Sequence, residues 1–479
     1  PVSIWNHFSD LNAVPRPSKK EERIIEFMVN FGKKLMLETI VDGVGNVIIK
    51  KPATKGFENK KTVVMQSHLD MVHQKNSEIV FNFETQGINM FIDGDWVTAD
   101  GTTLGADNGL GVAAIMAVLS SVTIEHPTIE ALFTIDEETG MTGAMGLKGG
   151  LLSGEILLNL DTEEDDEIDM GCAGGIDVTA NRNYQEETTP TDKLAFKIAI
   201  RGLQGGHSGM DIHKEFGNAN KIMNRLLYHG TESVGLRIST IDGGSLRNAI
   251  PRESFSTIVI NATEKDRFLL KMKDLIGLIK EEFNTKEPNL TIDITSSEIP
   301  LKIMDLKTQK VFLRCIYTTL NGVYRMSPHI ANLVETSNNI ARIVLGDGKI
   351  HVACLTRSSS ESSKNDLTNA LTSCFELGGF KVELSGAYPG WQPNVDSEIL
   401  KVLTNLYENL FGKKARVEAC HAGLECGILG QNYPLMDMIS FGPTIKGAHS
   451  PDERVSITSV QKFWKFLLQI LKNIPERNS

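Results

Sequence analysis

Histidines and acids recur in this chain at the places where apolar runs stop. The run VVMQ (residues 63–66) leads into Ser67-His68-Leu69-Asp70. In an extended strand residues i and i+2 share a face, so His68 and Asp70 project together from a strand end. Asp107 stands in LGADNGLG, Glu137 and Glu138 follow IEALFTI, Asp161 closes ILLNLD, and His449 lies in the turn-rich GAHSPDE. Each has a plain structural reading: a hydrogen-bonded His–Asp pair, a helix N-cap at Asp107, a charged turn, a loop starter. Taken together they crowd negative charge at the carboxyl ends of strands, where open α/β sheets place their ligand crevice. A cation there would relieve the crowding.

Charge suggests how many. Asp107, Glu138 and Asp161 carry three negative charges beside neutral His68, and two Zn²⁺ ions carry four positive ones. A bridging hydroxide closes the balance, with His449 as the second histidine. Imidazole and carboxylate donors without thiolate suit a catalytic zinc pair with an open water position.

The elements that must position these residues alternate. Strands are predicted over 62–66, 128–135 and 155–159, with a helix over 108–119, which is the α/β signature. From about residue 191 the order becomes strand 193–201, helix 215–228, strands 235–241 and 252–261, helix 264–282 and strand 290–296. That βαββαβ order is a ferredoxin-like unit. A looser second set follows: helix 307–320, strands near 340–345 and 350–356, helix 360–377 and strand 381–384. Helices at 397–411 and 457–473 return to the first texture. The expected architecture is an α/β catalytic domain, a central mixed sheet flanked by helices. An α+β lid of ferredoxin-like units interrupts it. The segments are 1–187 (catalytic, first part), 188–387 (lid) and 388–479 (catalytic, second part).

Composition narrows the class. The 479 residues are 41% hydrophobic, 23% charged and 6% aromatic, with net charge −11. With no basic stripe, nucleic acid is not an expected partner. No apolar run reaches the roughly 20 residues of a membrane helix, so no membrane partner is expected either. The opening PVSIWNHFSD lacks the pattern of a signal peptide, and a cytoplasmic location is expected. Six cysteines without a CxxC pair read as reduced thiols, neither a disulfide framework nor a thiolate zinc site. The acidic run Glu163-Glu164-Asp165-Asp166-Glu167 reads as a solvated loop.

The ordered set His68-Leu69-Asp70, Gly105-Ala106-Asp107-Asn108-Gly109, Asp136-Glu137-Glu138, Asn159-Leu160-Asp161 and Ala448-His449-Ser450 resembles the dinuclear zinc aminopeptidase, carboxypeptidase G and aminoacylase superfamily. The agreement spans nearly the whole chain. MGCAGG (170–175) and CHAGLECGIL (420–429) resemble its bacterial aminoacyl-histidine dipeptidases in particular. The resemblance implies that Asp107 bridges two metals, with His68 and Asp161 on one and Glu138 and His449 on the other. It implies Glu137 as general base and Asp70 as the group that orients His68. It makes His207, in LQGGHSG, an oxyanion-stabilising lid residue and Asn248, in LRNAIP, a second one, where the residues around His207 alone read as a glycine turn. Arg357 would grip the substrate's terminal carboxylate. His73 reads as structural.

The implied reaction is hydrolysis of dipeptides with free termini, Xaa-His and broader, by a dizinc-activated water, with Mn²⁺ or Co²⁺ able to substitute. Glu425 could pair with a substrate ammonium and so favours a dipeptidase. An N-acyl amino acid deacylase on the same scaffold is the alternative, separated by whether a free amino group is required. A non-catalytic binding protein is the third reading, disfavoured by the intact set of acids and histidines. A homodimer stays open, as does delivery of His207 in cis by a duplicated lid.

Overall fold

The apolar runs pair into two large sheets, each in its own compact unit. The structure, a computed structural model, describes residues 1–328 and 330–477. The first unit comprises Pro1–Cys172, Trp391–Ala419 and Leu424–Ser479, and the second Ala173–Gly390 and Cys420–Gly423. Among the described residues no helix is long and apolar enough to cross a membrane.

The first unit opens with two helices, Val2–Asn12 and Glu22–Lys34, and its sheet and active-site elements include strands β1 (Glu38–Val41), β2 (Val47–Lys51) and β3 (Val63–His68), helix α1 (Ala106–Ser120), β4 (Ile129–Thr134), β5 (Ile156–Asn159) and β6 (Glu167–Cys172). The second holds β7 (Gly174–Asn183), β8 (Lys193–Arg201), α2 (Ala219–Val234), β9 (Arg237–Gly244), β10 (Ser254–Asn261), α3 (Lys265–Phe283) and β11 (Thr291–Ser296). It continues with α4 (Leu306–Thr318), β12 (Val334–Gly346), β13 (Lys349–Ser358), α5 (Glu361–Leu377) and β14 (Lys381–Tyr388). The chain then adds β15 (Arg416–Cys420), α6 (Glu425–Asn432) and β16 (Asp437–Ser440).

The first sheet is mixed, in the order β1-β2-β4-β3-β5-β16-β6-β15. Its centre is parallel: β3 pairs with β4 and β5, and β5 with β16. All six residues of β3 are buried, which is why its sequence runs apolar rather than alternating. Nearly all of α1 is buried as well, and its small residues let it lie close: a Cβ on Gly111 would fall 2.4 Å from Ser67 Oγ.

The second sheet runs β11-β8-β10-β9-β12-β13-β7-β14, and a ninth strand, Gly322–Met326, pairs with β12. Its first half is β8-α2-β9-β10-α3-β11, a ferredoxin-like unit with the strand order 4-1-3-2. The second half, β12-β13-β7-β14, is the same unit in mirror order, 2-3-1-4, with α4 and α5 as its helices. Its first strand is β7, which precedes the whole first repeat in sequence. Because β7 pairs with β13 and β14, the second unit begins at Ala173 rather than near residue 188. Leu226 of α2, Phe268 of α3, Phe312 of α4 and Phe375 of α5 share one hydrophobic cluster, so both repeats are packed as one layer.

Candidate active site

His68 ends β3 and is 1% exposed. Its Nδ1 lies 3.1 Å from the Asp70 carbonyl and 3.4 Å from Asp70 Oδ1. Its Nε2 faces Asp107 Oδ1 at 3.1 Å and Asp161 Oδ1 at 3.5 Å. With the proton on Nδ1, where two oxygens accept it, Nε2 presents a lone pair to two carboxylates. Such a facing is stable only around a cation or a proton. Burial pushes the His68 imidazole down, yet Asp161, Asp107 and Asp70 outweigh it and hold it well above its ordinary value.

Asp107 sits at the start of α1 with non-helical dihedrals, and its side chain makes no capping bond, so the N-cap reading does not hold. The cap position is Gly105, at φ +71°, where a Cβ would lie 2.5 Å from Arg16 Nη2. Asp107 Oδ2 faces His449 Nε2 at 3.1 Å, and Glu138 Oε2 faces the same nitrogen at 3.0 Å. His449 is half exposed, in a turn between the short strands Ile445–Lys446 and Arg454–Ser456. Its neighbours raise it to about 11, with Asp107 first and Glu138 second.

Donor atoms of His68, Asp107 and Asp161 lie within 4.8 Å of one another, as do those of Asp107, Glu138 and His449. Asp107 is common to both groups. Glu138 Oε1 and Asp161 Oδ1 are buried without a hydrogen-bond donor. Imidazole nitrogens and carboxylate oxygens without a thiol are donors for a divalent cation such as zinc, and orphaned carboxylate oxygens are what such an ion would satisfy.

Glu137 and Glu138 begin a short turn after β4, and Asp70 holds both: Oδ1 accepts from Glu137 N at 3.0 Å and Oδ2 from Glu138 N at 3.3 Å. Burial, together with Asp161 and Glu138, raises Glu137 well above an ordinary carboxyl. Burial likewise lifts Asp161 to about 6. His73 is exposed and meets Phe83 edge-on, 5.9 Å between ring centres.

Two supports were invisible in the sequence. Glu453, 2% exposed, accepts from the backbone N–H groups of Leu104, Gly105, Ala106 and Asp107 at 2.7–3.2 Å. Buried Arg16 donates to the carbonyls of Leu69, Asp70 and Gly105. Together they tie the segments carrying His68, Asp107 and His449. Glu453 reads as a turn acid in SPDE, and no local signal announces its burial.

Glu425, expected to meet a substrate ammonium, is fully buried at the start of α6. Its Oε2 accepts from Gln66 Nε2 and Thr134 Oγ1, both at 2.6 Å, and burial lifts it to about 7. Neither oxygen reaches solvent, which moves its role from the substrate to the strand ends. The acidic run lies in a partly exposed loop as far as Asp166, and its charges are paired: Glu164 with Lys446, Asp165 with Lys462, and Asp166 and Glu167 with Arg416.

The remaining expected residues lie in the second unit. His207 Nδ1 accepts from the N–H groups of Gly209 and Met210 at 3.3 and 3.0 Å, which puts its ring proton on Nε2. Asn248 is exposed, and its carbonyl accepts from Ser208 N. Arg357, 5% exposed at the end of β13, donates through Nη1 to Tyr388 Oη at 2.9 Å. Its Nε is buried without a partner. His421 neighbours both Arg357 and His207, and burial with those charges lowers it to about 3.

Residues 64–473 match the profile of peptidase family M20/M25/M40. The cytosol non-specific dipeptidase of Escherichia coli is 44% identical over 477 residues, covering 100% of this chain and 98% of that protein. The crystal structure of an aminoacylhistidine dipeptidase from Vibrio alginolyticus is also 44% identical, with a TM-score of 0.93 over 100% of this chain and 98% of that one. Aminopeptidase PepT from Bacillus cereus, at 16% identity and TM-score 0.57 over 99% and 98% of the two chains, shares the fold.

Proposed function

The chain belongs to peptidase family M20/M25/M40, and from that premise we propose that it is a metal-dependent dipeptidase acting on substrates with free termini, Xaa-His among them. The observation that carries this reading is the pair of donor groups sharing Asp107, with the half-buried Glu137 beside them. The full-length similarity to two proteins named as dipeptidases supports the substrate class.

In this reading His68, Asp107 and Asp161, together with Glu138 and His449, would hold a pair of divalent ions, zinc in the first instance, with Asp107 common to both donor groups. Such a pair, when bound, polarises a scissile carbonyl and brings the pKa of a water toward neutrality. Glu137 takes the proton of the attacking water and hands it to the leaving amine. Burial makes its carboxylate a stronger proton acceptor than a solvated one. Asp70 keeps His68 in the Nδ1–H tautomer, so that Nε2 is the ligating nitrogen. In the second unit, which we read as the lid, the Nε2–H of His207 and the amide of Asn248 are donors for the tetrahedral oxyanion. The unpartnered Nε of Arg357 is left to bind the substrate carboxylate.

The test compares a free Xaa-His dipeptide with its N-acetylated twin, using zinc-loaded protein. Cleavage of the free dipeptide alone is expected. Loss of the acetyl group with the free dipeptide untouched would move the chain to the amino acid deacylases.

A further inference from the structure

None of the six cysteines is in a disulfide, and three of them, Cys172, Cys354 and Cys426, are buried with thiols pushed up by desolvation. Cys315 and Cys374 differ. They occupy the last turns of α4 and α5, where each Sγ lies 3.7 Å from the other residue's carbonyl oxygen. Thr318 Oγ1 lies 3.1 Å and Thr319 Oγ1 3.8 Å from Cys374 Sγ. Cys374 is partly exposed and Cys315 is buried. Both line an open cavity of about 490 Å³ with Arg314, Thr318 and Leu377. Gly378, also in the lining, packs against Cys315: a Cβ there would sit 2.3 Å from its Sγ.

The two thiols are therefore unequal. A helix C-terminus disfavours an anion. Around Cys374 that is offset by the Cys315 S–H, which comes first, and by the two threonine hydroxyls, so Cys374 ionises below its ordinary range. Cys315 is driven the other way by the same partner. The exposed thiol is the nucleophilic one, and the buried thiol stands behind it as a resolving group.

We propose that Cys315 and Cys374 form a dithiol that small disulfides entering this cavity oxidise to a protein disulfide, with Cys374 attacking first. The Cys374 thiolate attacks one sulfur of RS–SR, the S–S bond breaks, and RS⁻ leaves to take up the Cys374 proton from solvent. Cys315, losing its own proton, then attacks the Cys374 sulfur and expels the second RS⁻, which is protonated in turn. The protein pair is oxidised by two electrons and RS–SR is reduced to two RSH.

The experiment exposes the full chain to excess glutathione disulfide, blocks remaining thiols by alkylation and maps the peptides by mass spectrometry. A Cys315–Cys374 linked peptide, lost on treatment with dithiothreitol, is expected in the native protein. Cys315→Ser should accumulate a mixed disulfide on Cys374, and Cys374→Ser should leave Cys315 unmodified. Absence of the linked peptide from native protein, whichever other cysteine reacts, overturns the proposal. An adduct on Cys315 in Cys374→Ser overturns the assignment of the attacking thiol.

Discussion

Asp70 shows how much one carboxylate can organise. It accepts from the His68 ring, from the N–H groups of Glu137 and Glu138, and from Ser18 Oγ at 2.8 Å. Its position two residues after His68 was legible from strand geometry. Its hold on the Glu137–Glu138 turn was not, because that turn is remote in sequence. The same holds for Arg16 and Glu453: a buried charge betrays itself only through partners that the fold brings to it. Glu137 itself donates its backbone N–H to this frame, so its carboxylate can be changed without disturbing it. Glu137→Gln should lower kcat by about 10²–10⁴ while zinc content, read by atomic absorption, stays at the native level. Equal loss of zinc and activity would make Glu137 a ligand rather than a base.

At the scale of elements, the central strands are stitched by side chains as well as by the backbone. Asp169 Oδ2 accepts from Thr162 Oγ1 at 2.8 Å, which meets Ser440 Oγ at 2.8 Å. Ser440 donates to Asn159, Asn159 to Gln66, and Gln66 to Glu425, each within 2.6 Å. A continuous polar chain thus crosses β16, β5 and β3, with a buried carboxyl at each end. Burial, reinforced by Glu167, raises Asp169 to about 7. A carboxyl whose folded value lies above its unfolded one binds its proton more tightly in the native state. Its contribution is complete below about pH 4 and is lost as pH rises through 7. Asp169→Asn mimics the protonated form, so the native protein should lose about 1–2 kcal/mol more than the variant between pH 5 and 8, read from urea midpoints. Parallel slopes would place the titration elsewhere. The strands predicted at 62–66, 128–135 and 155–159 stand as β3, β4 and β5, and β8 was predicted at its observed bounds, Lys193–Arg201, whereas β1, β2, β6, β15 and β16 were not predicted. β7 was missed because GGIDVTANRN mixes glycine with polar residues and its partners, β13 and β14, follow more than a whole repeat later.

For the whole molecule, the donor cluster is a cost unless something positive fills it. Asp107, Glu138 and Asp161 converge with little solvent to screen them, and any ion bound only by the folded state stabilises that state by mass action. Stripping the metal with a chelator should lower stability by about 2.7 kcal/mol for each site relative to free zinc at a hundredfold over its Kd, measured by chemical denaturation at fixed pH. An unchanged midpoint would mean that the cluster holds no tightly bound ion. The second unit carries a different whole-chain feature, because its two ferredoxin-like halves are nested rather than consecutive. The first half is one unbroken stretch from β8 to β11, whereas the second half begins with β7 and resumes only at α4. During synthesis on a ribosome the inner half can close as soon as β11 emerges. Strand β7 must wait, with its hydrogen-bonding edges open, until Lys349–Ser358 has been made. The order of emergence from the exit tunnel therefore makes the inner repeat the template on which the outer one is completed.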